Sequence, residues 1–345
     1  MERPGESTAS PEHDAHRLRN GLISTLALGV LLLAIGLAIP DLRGVLDRVA
    51  HAQAGWIILA VALEIASCLG YVATVRLVLH RGPRREVRRL AWAEMAFGAV
   101  VPVGGAGGLA VGAWAMRAWG IAWSRIANRS AVIFLLTSAV NATVLVIAGL
   151  GVWLGIGSPK HGVVYGLVPA LGTAAGIAFF VLLPRGIAER VPGRRLKAAL
   201  RRLGSWVSAA EATAFAPNWR VLGAIGYLLF DIAVLWACLK AVGETPPVLA
   251  LVAGYQIGYL ANLVPVPGGL GVLEGGLLGA LLLYGLPAAP TAAAVVLYHA
   301  IALWVPTGGG TYAFTRLRQS VAHPPAALKA VTSARDTGNS VSEAA

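Results

Sequence analysis

The stretch NLVPVPGGLGVLEGG, residues 262–276, lies within one of the most apolar regions of the chain. It carries two prolines, five glycines and one glutamate. Proline removes a helical hydrogen bond and glycine costs backbone entropy, so this run breaks a helix where the surrounding composition asks for one. Non-helical backbone is tolerated at membrane depth only where protein or a water-filled cavity surrounds it. The stretch therefore reads as the tip of a re-entrant hairpin rather than as part of a spanning helix.

The rest of the chain agrees with a membrane setting. Its 345 residues are 57% hydrophobic and 13% charged, with a mean hydropathy of +0.70. Soluble domains carry about 25% charged residues, so an all-α polytopic membrane protein is expected. Roughly 20 apolar residues cross the hydrocarbon. Six runs meet that length: Gly21–Ile39, Gly55–Leu79, Ala131–Leu154, Val163–Leu183, Val221–Leu239 and Thr291–Phe314. The first follows a polar segment too long, and is itself too long, for a cleaved secretory signal. Cys68 and Cys238 both fall inside apolar runs, which implies packing rather than a disulfide framework or a metal site. No cofactor is expected.

The net charge of +12 would suit nucleic acid, but its distribution argues against that partner. Arg81, Arg84, Arg85, Arg88 and Arg89 precede one apolar segment; Arg117, Arg125 and Arg129 precede the next. Basic residues beside membrane segments mark cytoplasmic loops and attract anionic headgroups. Because loops 80–89 and 117–130 are both basic, the segment Leu90–Trp119 should enter and leave on one side. At about 30 residues it spans only ~45 Å as helix, too little for two crossings. A hairpin with its break at VVPVGGAGG, residues 100–108, satisfies both limits. Pro247–Leu286 forms the second hairpin, entered from the other side. With both termini cytoplasmic, 23 of the 28 Lys and Arg residues lie inside, four (Arg43, Arg48, Lys160 and Lys240) outside, and Arg76 in the membrane.

These segments form an inverted repeat. Val101-Pro102-Val103-Gly104-Gly105 matches Val264-Pro265-Val266-Pro267-Gly268-Gly269 with one inserted residue, and a glycine, Gly120 or Gly285, closes each hairpin. Each half reads span, span, hairpin, span, starting from opposite sides. Gly/Pro-interrupted segments in corresponding positions point to a transporter's central site. The expected organisation is a cytoplasmic disordered tail (1–20), a membrane domain (21–315) with repeats at about 21–154 and 163–315, and a second disordered tail (316–345). Within the basic stretch 185–220, Leu196, Leu200, Leu203 and Val207 recur at helical spacing, as in an interfacial amphipathic helix or a soluble linker helix.

The run PVPGGLGVLEGGLLGALLLYGLP (265–287), with AAAVVLYHAIALWVP (292–306) after it, resembles the membrane domain of the lysylphosphatidylglycerol synthase/flippase family, the flippase-like UPF0104-type integral membrane proteins. The resemblance covers about residues 20–315. It implies phospholipid or lipid-linked substrates moved between leaflets of the cytoplasmic membrane. In the synthases this domain is fused to a soluble aminoacyl-transferase domain. Only about 30 polar residues follow the last span here, so that activity is expected to be absent, with a separate synthase or transferase as a possible partner. Where an Arg commonly follows the Tyr of the last span, this chain has Tyr298-His299.

The candidate binding residues follow from the breaks. A helix restarting after Gly268-Gly269-Leu270-Gly271 offers unpaired N–H groups and its positive dipole end to an anion. Gly104, Gly105, Gly107 and Gly108 do the same from the other hairpin. The Gly-Lys-Ser/Thr of a nucleotide-binding loop is missing from both. Glu274 is either a cap of its half-helix or a proton or cation partner. Glu94, Arg76 and His299 complete the ionisable candidates, with Glu64 and Asp231 also inside spans; such groups at depth are usually functional. Asn262, Gln256, Tyr255 and Tyr259 are candidates for a polar path or for interhelical hydrogen bonds. The leading function is lipid transport. The alternatives are a membrane-embedded transferase using Glu94 or Glu274 as general base, and a non-catalytic membrane subunit.

Overall fold

The computed structural model describes residues 40–79, 82–100, 106–187, 193–260 and 272–322. Among them every element is a helix. The chain divides into a short N-terminal unit, residues 1–51, and a main unit, residues 52–345.

The described part of the N-terminal unit is α1, Pro40–Ala50. The sequence reading placed a loop over 40–54. A helix forms because Pro40 takes the first position, where its missing N–H costs nothing, and Asp41 follows at the positive end. The expected span Gly21–Ile39 lies outside the described residues.

The main unit contains α2 (Ala54–Val78), α3 (Arg84–Val100), α4 (Ala106–Ala118), α5 (Trp123–Trp153), α6 (Val168–Ile187), α7 (Arg194–Ala214), α8 (Leu222–Ala241), α9 (Val248–Leu260), α10 (Val272–Leu283) and α11 (Ala288–Ala322). A π-helical turn, Val163–Leu167, leads into α6, and a 3-10 turn, Trp219–Val221, leads into α8. Five segments are long and apolar enough to cross a membrane: Ala54–Val78, Trp123–Trp153, Val163–Gly186, Trp219–Ala241 and Ala288–Ala322. They correspond to the second to sixth expected spans. Large apolar side chains such as Phe134, Phe179 and Trp304 face outward on them, as lipid contact requires.

Two boundaries correct the sequence reading. Residues 117–130 are not a loop: α5 starts at Trp123, so Arg125 and Arg129 belong to it, and Arg129 is buried. Residues 316–322 are not the start of a tail either, because α11 runs to Ala322 with Leu317 and Ser320 buried.

The helices flanking the two Gly/Pro breaks pair with each other. A Cβ at Gly108 of α4 would lie 2.5 Å from the Glu94 carbonyl oxygen of α3. One at Gly258 of α9 would lie 2.6 Å from the Leu277 Cα of α10. The paired helices are 17 and 13 residues long in the first pair and 13 and 12 in the second. The longest, α3, spends its first turns on Arg84, Arg85, Arg88 and Arg89. The breaks, 101–105 and 261–271, lie outside the described residues.

Each hairpin ends in the same way. Gly120 and Gly285 adopt φ of +78° and +89°, a left-handed conformation that costs glycine little. Ile121 N–H then donates to Met116 and Leu286 N–H to Leu281 (2.9 and 3.2 Å), closing the two helices with Schellman turns.

The connections gather at two ends of the bundle. The α5–α6 connection meets the start of α9 through the Ala250 N–H to Gly157 carbonyl bond (3.1 Å), and Pro159 approaches Gly285. The opposite end holds the α2–α3 corner, the α4–α5 turn and the basic helix α7. The C-terminal part of α7 packs Ala209 and Ala214 against Leu77, Val132 and Leu136. The largest core cluster joins α2, α5, α8, α9, α10 and α11 through residues such as Val152, Leu235, Leu251, Leu281 and Val295.

Candidate functional site

The centre of the bundle is the crossing of α2 and α8, and glycine makes it possible. A Cβ at Gly70 would stand 2.6 Å from Tyr227 N, and one at Gly223 would stand 2.7 Å from the Gly70 carbonyl oxygen. Small residues at such a crossing let backbones touch. The register is antiparallel along its whole length. Gln53 N–H donates to the Ala241 carbonyl (2.9 Å), Trp56 meets Trp236 edge-to-face (5.3 Å between ring centroids), and Ser67 Oγ donates to the Tyr227 carbonyl (2.8 Å). This register sets Glu64 of α2 level with Asp231 of α8, both near mid-helix.

Around these carboxylates a polar cluster is assembled from four helices. Tyr255 of α9 and Tyr298 of α11 both donate hydroxyl hydrogen bonds to Asp231 Oδ2, the second at 3.0 Å. Their hydroxyls lie 3.3 Å apart. Tyr259 stacks on Tyr255 one turn along α9 (6.3 Å). Glu64 is 6% exposed. Its Oε1 accepts the Cys68 thiol at 3.7 Å, and its Oε2 is buried with no hydrogen-bond partner among the described residues. Neither carboxylate pairs with a described Lys, Arg or His. A buried charge without a partner is costly, so Glu64, with the half-buried Asp231 level with it, calls for a proton or a cation.

A second ionic site pairs its two charges with each other, leaving only Arg129 Nε buried without a hydrogen-bond partner among the described residues. Arg129 of α5 reaches Glu94 of α3 with two parallel bonds, Nη1 to Oε1 at 2.5 Å and Nη2 to Oε2 at 2.8 Å. The Tyr71 hydroxyl of α2 adds a third at 3.1 Å. The guanidinium fork matches the carboxylate edge-on, and both residues are buried. This pair ties the first hairpin to α2 and α5.

The remaining candidates are scattered relative to these two clusters. Gly107 and Gly108 are buried in the first turn of α4, and Gly108 serves the approach of α4 to α3. Arg76 occupies the last turn of α2, at the basic end of the bundle. His299 of α11 packs edge-on against Tyr298 (5.1 Å), with its Nδ1 3.0 Å from the Val295 carbonyl. Glu274 falls in the first turn of α10, and its side chain lies outside the described residues, as do Gly104, Gly105, Asn262, Gly268, Gly269 and Gly271. Gln256 Nε2 donates to the Asn141 carbonyl (2.9 Å), the interhelical role foreseen for it. The sequence reading placed Asp231 among the intramembrane ionisable groups and Tyr255 with Asn262, Gln256 and Tyr259, and did not bring the two together. Tyr298 stood out only as a neighbour of His299.

The chain matches the family profile described as Lysylphosphatidylglycerol synthase TM region over residues 23–310. A UPF0104 membrane protein of Methanothermobacter thermautotrophicus is 36% identical over 84 residues, a stretch covering 24% of each chain. The match thus spans about a quarter of that relative's length.

Proposed function

The chain belongs to the lysylphosphatidylglycerol synthase TM-region family, and on that premise we propose that it moves a phospholipid or lipid-linked headgroup between leaflets. The observation that carries this reading is the Glu64–Asp231 pair at the α2–α8 crossing, with Tyr255 and Tyr298 around it. Two acidic groups at mid-helix suit a headgroup that carries an amine as well as a phosphate, because the ammonium replaces the missing counter-charge. An inverted repeat is supported by the packing. The antiparallel pair α2 and α8 occupies the centre, α11 lies against the first hairpin, and α5 lies against the second. Such a pseudo-symmetric core lets one half rock against the other around a fixed site. The phosphate is assigned to the Gly-rich breaks, whose helix N-termini favour an anion.

The test is transport by the full-length protein in liposomes, using tail-labelled lipids and an impermeant quencher. An amine-bearing lipid should change leaflet faster than phosphatidylglycerol. Asp231→Asn with Glu64→Gln should reduce the amine-lipid rate at least ~10-fold, the scale of one lost ionic contact, while a cooperative melt shows that the variant still folds. Equal rates in the wild type and the double variant would sink the assignment.

A further inference from the structure

The three arginines at the α2–α3 corner belong to neither cluster described above. Arg76 ends α2, Arg84 begins α3, and Arg220 stands in the turn that opens α8. They surround a cavity of about 200 Å³, lined further by Leu79, Gly82 and Val87. Arg88 lies within Coulombic range of the same group. None of the four ion-pairs with a described carboxylate. The nearby acid, Glu86, is engaged by Arg89 at 2.7 Å. Arg220 rests over the Trp219 ring (5.6 Å), and its Nε is buried with no hydrogen-bond partner among the described residues.

Guanidinium groups held together repel one another, and an anion between them reverses the sign of that interaction. Because guanidinium is planar and presents paired donors, phosphate is the anion it matches best. The cavity is smaller than the ~300–1,000 Å³ clefts that enclose a whole drug-sized ligand, so it suits a headgroup fragment. Trp219, whose ring lies under Arg220, is 70% exposed, as aromatic side chains at a membrane–water boundary are.

We propose that the Arg76–Arg84–Arg220 cavity is a phosphate-binding site, filled by the headgroup of an anionic phospholipid or by a water-soluble phosphate ester. The site lies at the basic end of the bundle, away from the mid-helix carboxylates, and stands whether or not the chain transports lipid.

Native mass spectrometry of the full-length protein in detergent, titrated with phosphatidylglycerol or phosphatidylcholine, tests it. The wild type should retain phosphatidylglycerol preferentially. Arg76→Gln with Arg220→Gln should weaken that retention about 10-fold or more, given the ~1 kcal/mol that each cation contributes near anionic headgroups. Arg125→Gln with Arg318→Gln removes the same charge from the same end and should weaken it by less than about two-fold. Arg76→Lys with Arg220→Lys should fold like the wild type and recover part of the retention. Displacement by millimolar glycerol 3-phosphate assigns the site to soluble phosphate esters, and persistence against it assigns the site to lipid. Equal loss in the two glutamine pairs, or equal retention of the two lipids by the wild type, overturns the proposal.

Discussion

Gly112 of α4 faces the carboxylate of Glu94 of α3 so closely that a methyl group at position 112 would overlap Oε1, and Arg129 Nη1 would lie 3.2 Å from it. The missing side chain is what lets the ion pair close. Gly112→Ala should therefore destabilise the protein by about 1–3 kcal/mol, the scale of overpacking. Gly279→Ala meets nothing within 4 Å and should stabilise α10 by up to about 1 kcal/mol. Thermal melting in detergent compares them. Equal melting temperatures would refute the contrast.

Removing one half of the Glu94–Arg129 pair leaves a buried charge. Arg129→Met or Glu94→Gln alone should cost about 3–5 kcal/mol, and the double variant should cost much less than the sum. Tyr71→Phe should cost about 1.5–3 kcal/mol, since its hydroxyl donates to a carboxylate. A double-mutant cycle on melting temperature measures this. Additive losses would show the two residues to be uncoupled.

Tyr298→Phe takes away one of the two phenols that donate to Asp231. The expected loss is about 1.5–3 kcal/mol, as for hydrogen bonds to charged groups. Pairing it with Asp231→Asn should shrink that loss. If the phenol costs the same to remove in both backgrounds, it does not act on Asp231.

The antiparallel register of α2 and α8 predicts a cross-link. Cysteines replacing Gln53 and Ala241 should form a disulfide on mild oxidation in membranes, because the two backbones are hydrogen-bonded at 2.9 Å. Gln53→Cys with Leu222→Cys, at an exposed position of the far end of α8, should form none. Efficient linkage of the second pair and not the first would reverse the register.

The expected orientation puts the basic end of the bundle in the cytoplasm. Impermeant thiol reagents added outside should label Lys160→Cys and Glu244→Cys but not Arg85→Cys or Arg202→Cys. Labelling of position 85 from outside intact cells inverts the topology.

Much of the bundle was readable because arginine is expensive in hydrocarbon. The basic stretches 80–89 and 117–130 place both ends of the segment between them at one side, and α3 and α4 do pair with each other. The same reasoning misplaced Arg129. A rule that assigns every cation beside an apolar run to a loop fails where a carboxylate is buried opposite. Glu94 was the available signal, since an intramembrane acid needs a counterpart. Linear sequence does not say which of several arginines turns toward it. Glycine was read one-sidedly for a similar reason. The Gly-rich breaks stood out as helix breakers, but Gly70 and Gly223 sit singly inside good spans, and their role exists only across the α2–α8 contact. The Asp231 cluster depends on chain segments meeting that no periodicity relates. Its tyrosines come from helices on either side of the second break, and packing alone brings them to one oxygen.

The Glu94–Arg129 bond also orders events during synthesis. Glu94 leaves the ribosome 35 residues before its partner, and an unpaired acid at the centre of a helix resists membrane insertion by about 2.5–3.5 kcal/mol. Until α5 has emerged, the first hairpin carries Glu94 without its counter-ion, so releasing it into lipid means protonating the acid or exposing it unpaired. Arrested nascent chains should show this as a step. A Gly98→Cys probe, at a position open to a side chain, should react with an impermeant thiol reagent in chains ending short of Arg129 and be protected in chains long enough to expose all of α5. Arg129→Met should abolish the step in full-length chains, leaving the probe reactive throughout. Labelling that is the same at every chain length would show that the hairpin enters the bilayer without waiting for its counter-ion.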